Sequence, residues 1–205
     1  MKRALLALTL AAAIPFAASA AEGVSYNYVE AGYAKTDAKS SFADSDGWAV
    51  NGSYAFAPNF HVFGGYSKQE TDAKNIFIGN GVFRTPSIDV DNWNVGVGYN
   101  HELTKRVDLL TRVAYQQSKA DVNGLSISDK IKGGSVEAGV RGTLTPNWEG
   151  YALAGYQDYD KGYDGKFYGR VGTLVKFNQS WGITADAKFL DGGEKEFFVG
   201  PRFSF

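Results

Sequence analysis

Between Asn92 and His101 the chain reads NWNVGVGYNH, and that strict alternation limits what the polypeptide can become. Trp93, Val95, Val97 and Tyr99 fall on one face of an extended strand, and Asn94, Gly96, Gly98 and Asn100 on the other. Asparagine and glycine opposite valine and aromatic rings suit a sheet with hydrocarbon outside and a polar lumen inside. The pattern recurs at Tyr26–Lys35, Trp48–Phe56, Phe60–Gln69, Val107–Gln117, Gly134–Leu144, Trp148–Tyr159, Lys166–Phe177, Trp181–Leu190 and Lys195–Phe205. Each segment has about ten residues, the length a tilted strand needs to cross a bilayer. The expected fold is all-β: a transmembrane up-and-down antiparallel β-barrel of about ten strands. Eight strands is the alternative, should the first segment or the last short hairpin lie outside the wall.

The connections alternate in length. Ala57-Pro58-Asn59, Glu102–Arg106, Thr145-Pro146-Asn147 and Asn178-Gln179-Ser180 are short and rich in turn-favouring residues. Thr36–Ser45, Glu70–Asp91, Ser118–Gly133, Asp158–Gly165 and Asp191–Glu194 are polar and mostly longer. Short turns at one end and longer loops at the other are the asymmetry of outer-membrane barrels, periplasmic and external respectively. A weak repeat accompanies the turns: APNF and TPNW are followed at the same strand position by His61 and Glu149, and Asp108 matches them after the third turn. Their strands carry outward tyrosines at Tyr66, Tyr156 and Tyr115.

Residues 1–20 read as a cleaved secretory signal peptide. Lys2 and Arg3 precede the apolar run Ala4–Ala13, and Ala18-Ser19-Ala20 supplies small residues for cleavage before Ala21. Residues 21–205 then form a single barrel domain. Nothing after the leader is apolar enough to span as a helix, which leaves a closed barrel as the way to cross. A net charge of -1 provides no basic field for nucleic acid. With no cysteine, thiol chemistry, disulfides and cysteine-ligated zinc are all excluded.

The same alternation points twelve charges inward: Glu30, Asp108, Arg112, Glu137, Arg141, Glu149, Arg170, Lys176, Asp186, Lys188, Glu196 and Arg202. Six are acidic and six basic, so a narrow lumen is expected to pair them, because an unpaired buried charge is costly. A thin wet path lined by the same residues is the alternative. Trp48 and Trp93 start strands on the long-loop side, Trp148 and Trp181 on the short-turn side, as aromatic girdles at both interfaces require.

Catalysis is not expected. His61 and His101 lie toward the short-turn end without an evident serine or paired-aspartate partner, so both read as structural, and likeness to ten-stranded omptin proteases stops at the strand count. No cofactor or metal site is expected. Asp158, Asp160 and Asp164 lack calcium-loop spacing and read as solvated loop acids, with cation bridging to lipopolysaccharide as the sharper alternative. Asn75–Phe83 places two apolar arms around Gly79-Asn80-Gly81, a hairpin signal and a candidate contact with a surface partner.

The last strand runs FFVGPRFSF, with Phe197, Val199, Pro201, Phe203 and Phe205 on one face. Phe203 and the terminal Phe205 resemble the signal read by the bacterial outer-membrane assembly machinery. Across most of the chain SYNYVEAGY, DGWAVNGSYAFAPNFHVFGGYS, WNVGVGYNHEL, EGYALAGYQDY, FYGRVG and KEFFVGPRFSF are similar, in order, to a family of small xanthomonad outer-membrane proteins. That family is named for a proposed role in activating plant innate immunity and is linked to signalling, motility and biofilm. The resemblance implies a Gram-negative outer-membrane barrel reached through the periplasm, with lipid, lipopolysaccharide and the assembly machinery as partners. It also singles out Tyr26, which matches a tyrosine described as modified in the family and would lie in a released signalling segment. The residues themselves read Tyr26 as an ordinary strand or interface tyrosine. Three roles stay open: a non-enzymatic barrel for envelope structure or surface adhesion, a small passive pore, and the source of such a segment.

Overall fold

A computed structural model of the chain describes residues 20–38, 44–71, 75–78, 81–84, 86–123, 127–161 and 164–205. Of the leader expected at residues 1–20 all but Ala20 lies outside the described residues, as does the turn expected at Gly79-Asn80. The strands are β1 (Tyr28–Asp37), β2 (Ser45–Ala57), β3 (Phe60–Thr71), β4 (Asn75–Ile78), β5 (Gly81–Arg84), β6 (Ile88–Thr104), β7 (Val107–Val122), β8 (Ile127–Thr145), β9 (Trp148–Tyr159), β10 (Lys166–Lys176), β11 (Trp181–Leu190) and β12 (Lys195–Ser204). Ten close into an antiparallel barrel in the order β1-β12-β11-β10-β9-β8-β7-β6-β3-β2, and β4 pairs with β5 as a separate hairpin. The eight-stranded alternative is thereby excluded: β1 is bonded to β12 and to β2.

The alternation sorts the faces as its chemistry demands. Val62, Val95, Val97, Val113, Val136, Val140, Val171 and Val199 point outward and are exposed, whereas Glu30, Asn100, Glu137, Arg141 and Arg202 point inward and are buried. An apolar exterior around a charged interior is the reverse of a water-soluble fold and matches a bilayer as solvent. Ring pairs stand toward the two ends of the outer surface. Trp48–Tyr66, Trp93–Tyr115 and Tyr156–Phe167 form the girdle on the long-loop side, and Phe60–Tyr99 and Trp181–Phe203 that on the short-turn side. Trp148 joins the second girdle, its indole N–H donating to Thr173.

Two differences from the sequence expectation concern strand ends. The stretches Glu70–Asp91 and Ser118–Gly133, expected as loops, are largely strand: β6, β7 and β8 run for 17, 16 and 19 residues. Their polar sequence concealed this, because pairing above the hydrocarbon satisfies the backbone without needing an apolar face. The wall is therefore taller on that side. At the other end the first strand starts at Tyr28, not Tyr26. Three of the short turns follow the same scheme, with irregular register at Ala55/Ala57, Glu102/Thr104 and Thr143/Thr145. These bulges sit where the chain reverses tightly, and a bulge lets a strand bend there.

Candidate functional site

All twelve charges expected inside face the lumen, and eleven are joined in ion pairs across neighbouring strands. At the seam Arg202 Nη2 lies 2.6 Å from Glu30 Oε2. On the opposite wall Arg112 contacts Glu137, and between the two, on β10 and β11, Arg170 Nε is 2.9 Å from Asp186 Oδ2. Tyr151 and Tyr168 donate hydroxyls to Asp186 and Glu137. Toward the short-turn end Glu149 takes two cations, Arg141 Nη2 and Lys176 Nζ, both at 2.7 Å. Toward the long-loop end Lys188 bonds Glu196 at 3.2 Å and the Gln157 amide oxygen at 2.6 Å. Rings line these cations: Arg202 lies 4.0 Å over Tyr28 and Lys188 4.6 Å over Tyr168. Each of these charges thus has a partner of opposite sign, the arrangement that offsets desolvation.

Asp108 differs. It is fully buried, but its partners are the Tyr26 hydroxyl at 3.0 Å and the Ala21 amide nitrogen at 3.0 Å, not a basic side chain. The reason lies in the segment before β1. Residues 20–27 do not join the wall but turn into the short-turn mouth of the barrel, where Ala21, Val24 and Tyr26 pack with Leu110 and Leu153. Tyr26 stacks on His61 with ring centroids 4.6 Å apart and lies under Arg141 at 4.9 Å. Burial pushes its phenol well above the ordinary range, so it remains protonated and donates to Asp108. Thr143 Oγ1 and Lys176 Nζ hold the carbonyls of Glu22 and Gly23. This segment is a plug.

The plug rests on the repeat. His61, Asp108 and Glu149 are each the second residue of their strand, each points inward, and each is at most 2 % exposed. One stacks on the plug, one accepts its hydrogen bonds, and one holds Lys176, which caps it. The repeat was legible; its role was not, because nothing in AEGVSYN announces that it turns inward. Tyr28, Tyr151 and Tyr168, also absent from the expected set, complete the lining. They are inward residues of strands whose faces the alternation had already assigned.

The remaining candidates have simpler surroundings. His101 is exposed on the outer face, 3.5 Å from the Tyr99 hydroxyl. Asp158 and Asp160 accept backbone N–H groups of Tyr159 and Lys132. Among the described residues no group of three histidine or acidic side chains is arranged to hold a metal ion. Phe203 packs on Trp181 and Phe205 at the end of the last strand.

A closed ten-stranded barrel, apolar outside, charge-paired inside and girdled by aromatic rings, is a transmembrane β-barrel of the Gram-negative outer membrane. The chain belongs to the outer membrane protein beta-barrel domain family, whose model matches residues 4–189. Its fold is similar to the β domain of the Bordetella autotransporter BrkA (TM-score 0.56, 13% identity, 89% of this chain and 100% of that one). It is also similar to OprG from Pseudomonas aeruginosa (0.50, 10%, 91% and 99%) and to the NanC porin (0.51, 10%, 87% and 100%). No curated protein matches the chain in sequence.

Proposed function

We propose that this protein is a closed, non-enzymatic outer-membrane barrel that serves the envelope or engages a surface through its external side. The observation that carries this reading is the plug: residues 21–27 occupy the periplasmic mouth, and ion pairs between neighbouring strands line the lumen above them. A solute would have to displace the plug. What is left for interaction is the taller external wall of β6, β7 and β8 with the β4–β5 hairpin beside it in the chain. The proposed route to the membrane is export through the periplasm after removal of residues 1–20, followed by recognition of the last strand by the assembly machinery. Membership of the narrower xanthomonad group, with its links to biofilm and signalling, fits this surface role. Tyr26 is 3 % exposed and bonded inside the barrel, which favours a retained plug over a released signalling segment.

The test is planar-bilayer recording from folded mature protein. Silence is the expected result. Discrete, reproducible conductance steps would replace this reading with that of a small passive pore.

A further inference from the structure

The inward charges balance in number but not in contact. Glu30, Glu137, Glu149, Asp186 and Glu196 take all six bases between them. Asp108 is the acid left over: it is 0 % exposed, and among the described residues no lysine or arginine is in ion-pair contact with it. The groups around it are Tyr26 and Ala21 from the plug, Arg141 on β8, Glu102 on β6, and His61 on β3 behind the Tyr26 ring. A buried carboxylate in such a place calls for a cation.

The nitrogen in contact is that of Ala21, 3.0 Å from Oδ1. A tight turn aims it. Val24 N donates to the Ala21 carbonyl at 3.0 Å, and Gly23 supplies the φ of 82° that the turn needs. Glu22 N is anchored on the Lys105 carbonyl at 2.7 Å. In the uncut chain the Ala21 nitrogen is a neutral amide with one hydrogen. Hydrolysis of the Ala20–Ala21 bond adds one water: Ala20 leaves as a carboxylate with the leader, and the Ala21 nitrogen takes up protons to become an ammonium with three donors.

We propose that removal of the leader gives Asp108 the contacting cation that Arg141, opposite it on β8 but bound to Glu149, does not supply, so that the α-ammonium of Ala21 is a buried counter-ion locking the plug into the barrel. Export processing and closure of the periplasmic mouth are then one event. The uncut chain offers Asp108 a weaker, uncharged partner, whereas the processed chain offers a charge-assisted bond. The inference rests on the cleavage expected after Ala20 and on the observed plug, and not on whether the lumen conducts.

The experiment uses mature protein refolded from Ala21 with a free amine, the same protein acetylated at that amine, and both forms carrying Asp108→Asn. Acetylation keeps one N–H donor, as in the uncut chain, and removes the charge with the other two. With Asp108 present it is expected to raise protease cleavage within residues 21–27 about ten-fold, the equivalent of one pKa unit. Once Asp108→Asn has neutralised the carboxylate, acetylation should change little. Equal effects in both backgrounds would overturn the proposal. A second measurement needs no variant: in native protein the Ala21 amine should react with an acylating reagent far more slowly than in urea, and equal rates would overturn it too, as would an exported protein whose first residue is not Ala21. Conductance from a barrel that passes these tests would defeat the closed-barrel function while leaving the Ala21–Asp108 pair intact.

Discussion

Glu30 and Arg202 face each other across the seam where the first strand meets the last, and both Nε and Nη2 of the arginine reach the same carboxylate oxygen, at 2.7 and 2.6 Å. The two lie 172 residues apart in sequence and are both buried. Arg202 also reaches the Thr184 hydroxyl and lies over the Tyr28 ring. Among the described residues no other ion pair ties together chain positions so distant.

Removing one partner of that pair should be severe. Arg202→Ala leaves Glu30 buried and unpaired, with an expected loss of about 3–5 kcal/mol. Replacing both residues by apolar ones of similar size should recover most of it. Urea unfolding of the refolded barrel measures the difference, and a double variant as weak as R202A would show that packing at the seam, not charge, decides.

Gly98 leaves room for the His61 ring. A Cβ at that position would sit 2.0 Å from His61 Nε2, so Gly98→Ala forces the ring off Tyr26 and is expected to cost about 1–3 kcal/mol. In a His61→Ala background the same change should cost little. A double-mutant cycle in urea reads the coupling, and additive effects would contradict the contact.

Val97 stands on the outer face between Val62 and Val113 of the adjoining strands. Arginine there would lie in hydrocarbon at mid-wall, with an expected cost of about 2–4 kcal/mol. Folding yield into vesicles and the heat-dependent gel shift check it. An indifferent protein would mean that this face does not meet lipid.

Deleting residues 21–26 removes the plug and keeps Asn27, whose side chain accepts the Ala55 N–H. The barrel should still fold, and any residual conductance should rise above that of the intact protein in a planar bilayer. Unchanged silence would assign closure to the ion pairs of the lumen alone.

The wall was legible in the sequence because its physics is local. Trp93, Val95, Val97 and Tyr99 declare their face by spacing alone, and the face of a strand fixes which charges point inward. Partners were less legible. That Glu149 holds both Arg141 and Lys176 follows from side-chain reach across three strands, which period two does not encode. The plug was illegible for a different reason. Tyr26 continues the alternation of Tyr28 and Glu30, so it reads as strand, yet the chain leaves the wall before Tyr28 to bury that ring against His61. The signal was present at the other partner: Asp108 was an inward acid at the rim, and its lack of a cation in contact is visible only once the strands are assembled and Arg141 opposite it is seen bound to Glu149.

The neighbour order of the wall also implies an order in time. Nine of its ten junctions join strands that follow one another along the chain, the β4–β5 hairpin aside, and only β1 with β12 joins the two ends. Sequence-local hairpins close short loops and form readily, whereas the last junction must await almost the whole chain. Shutting the cylinder is therefore the late step, and the segment that stops its mouth is tethered to the strand that performs it.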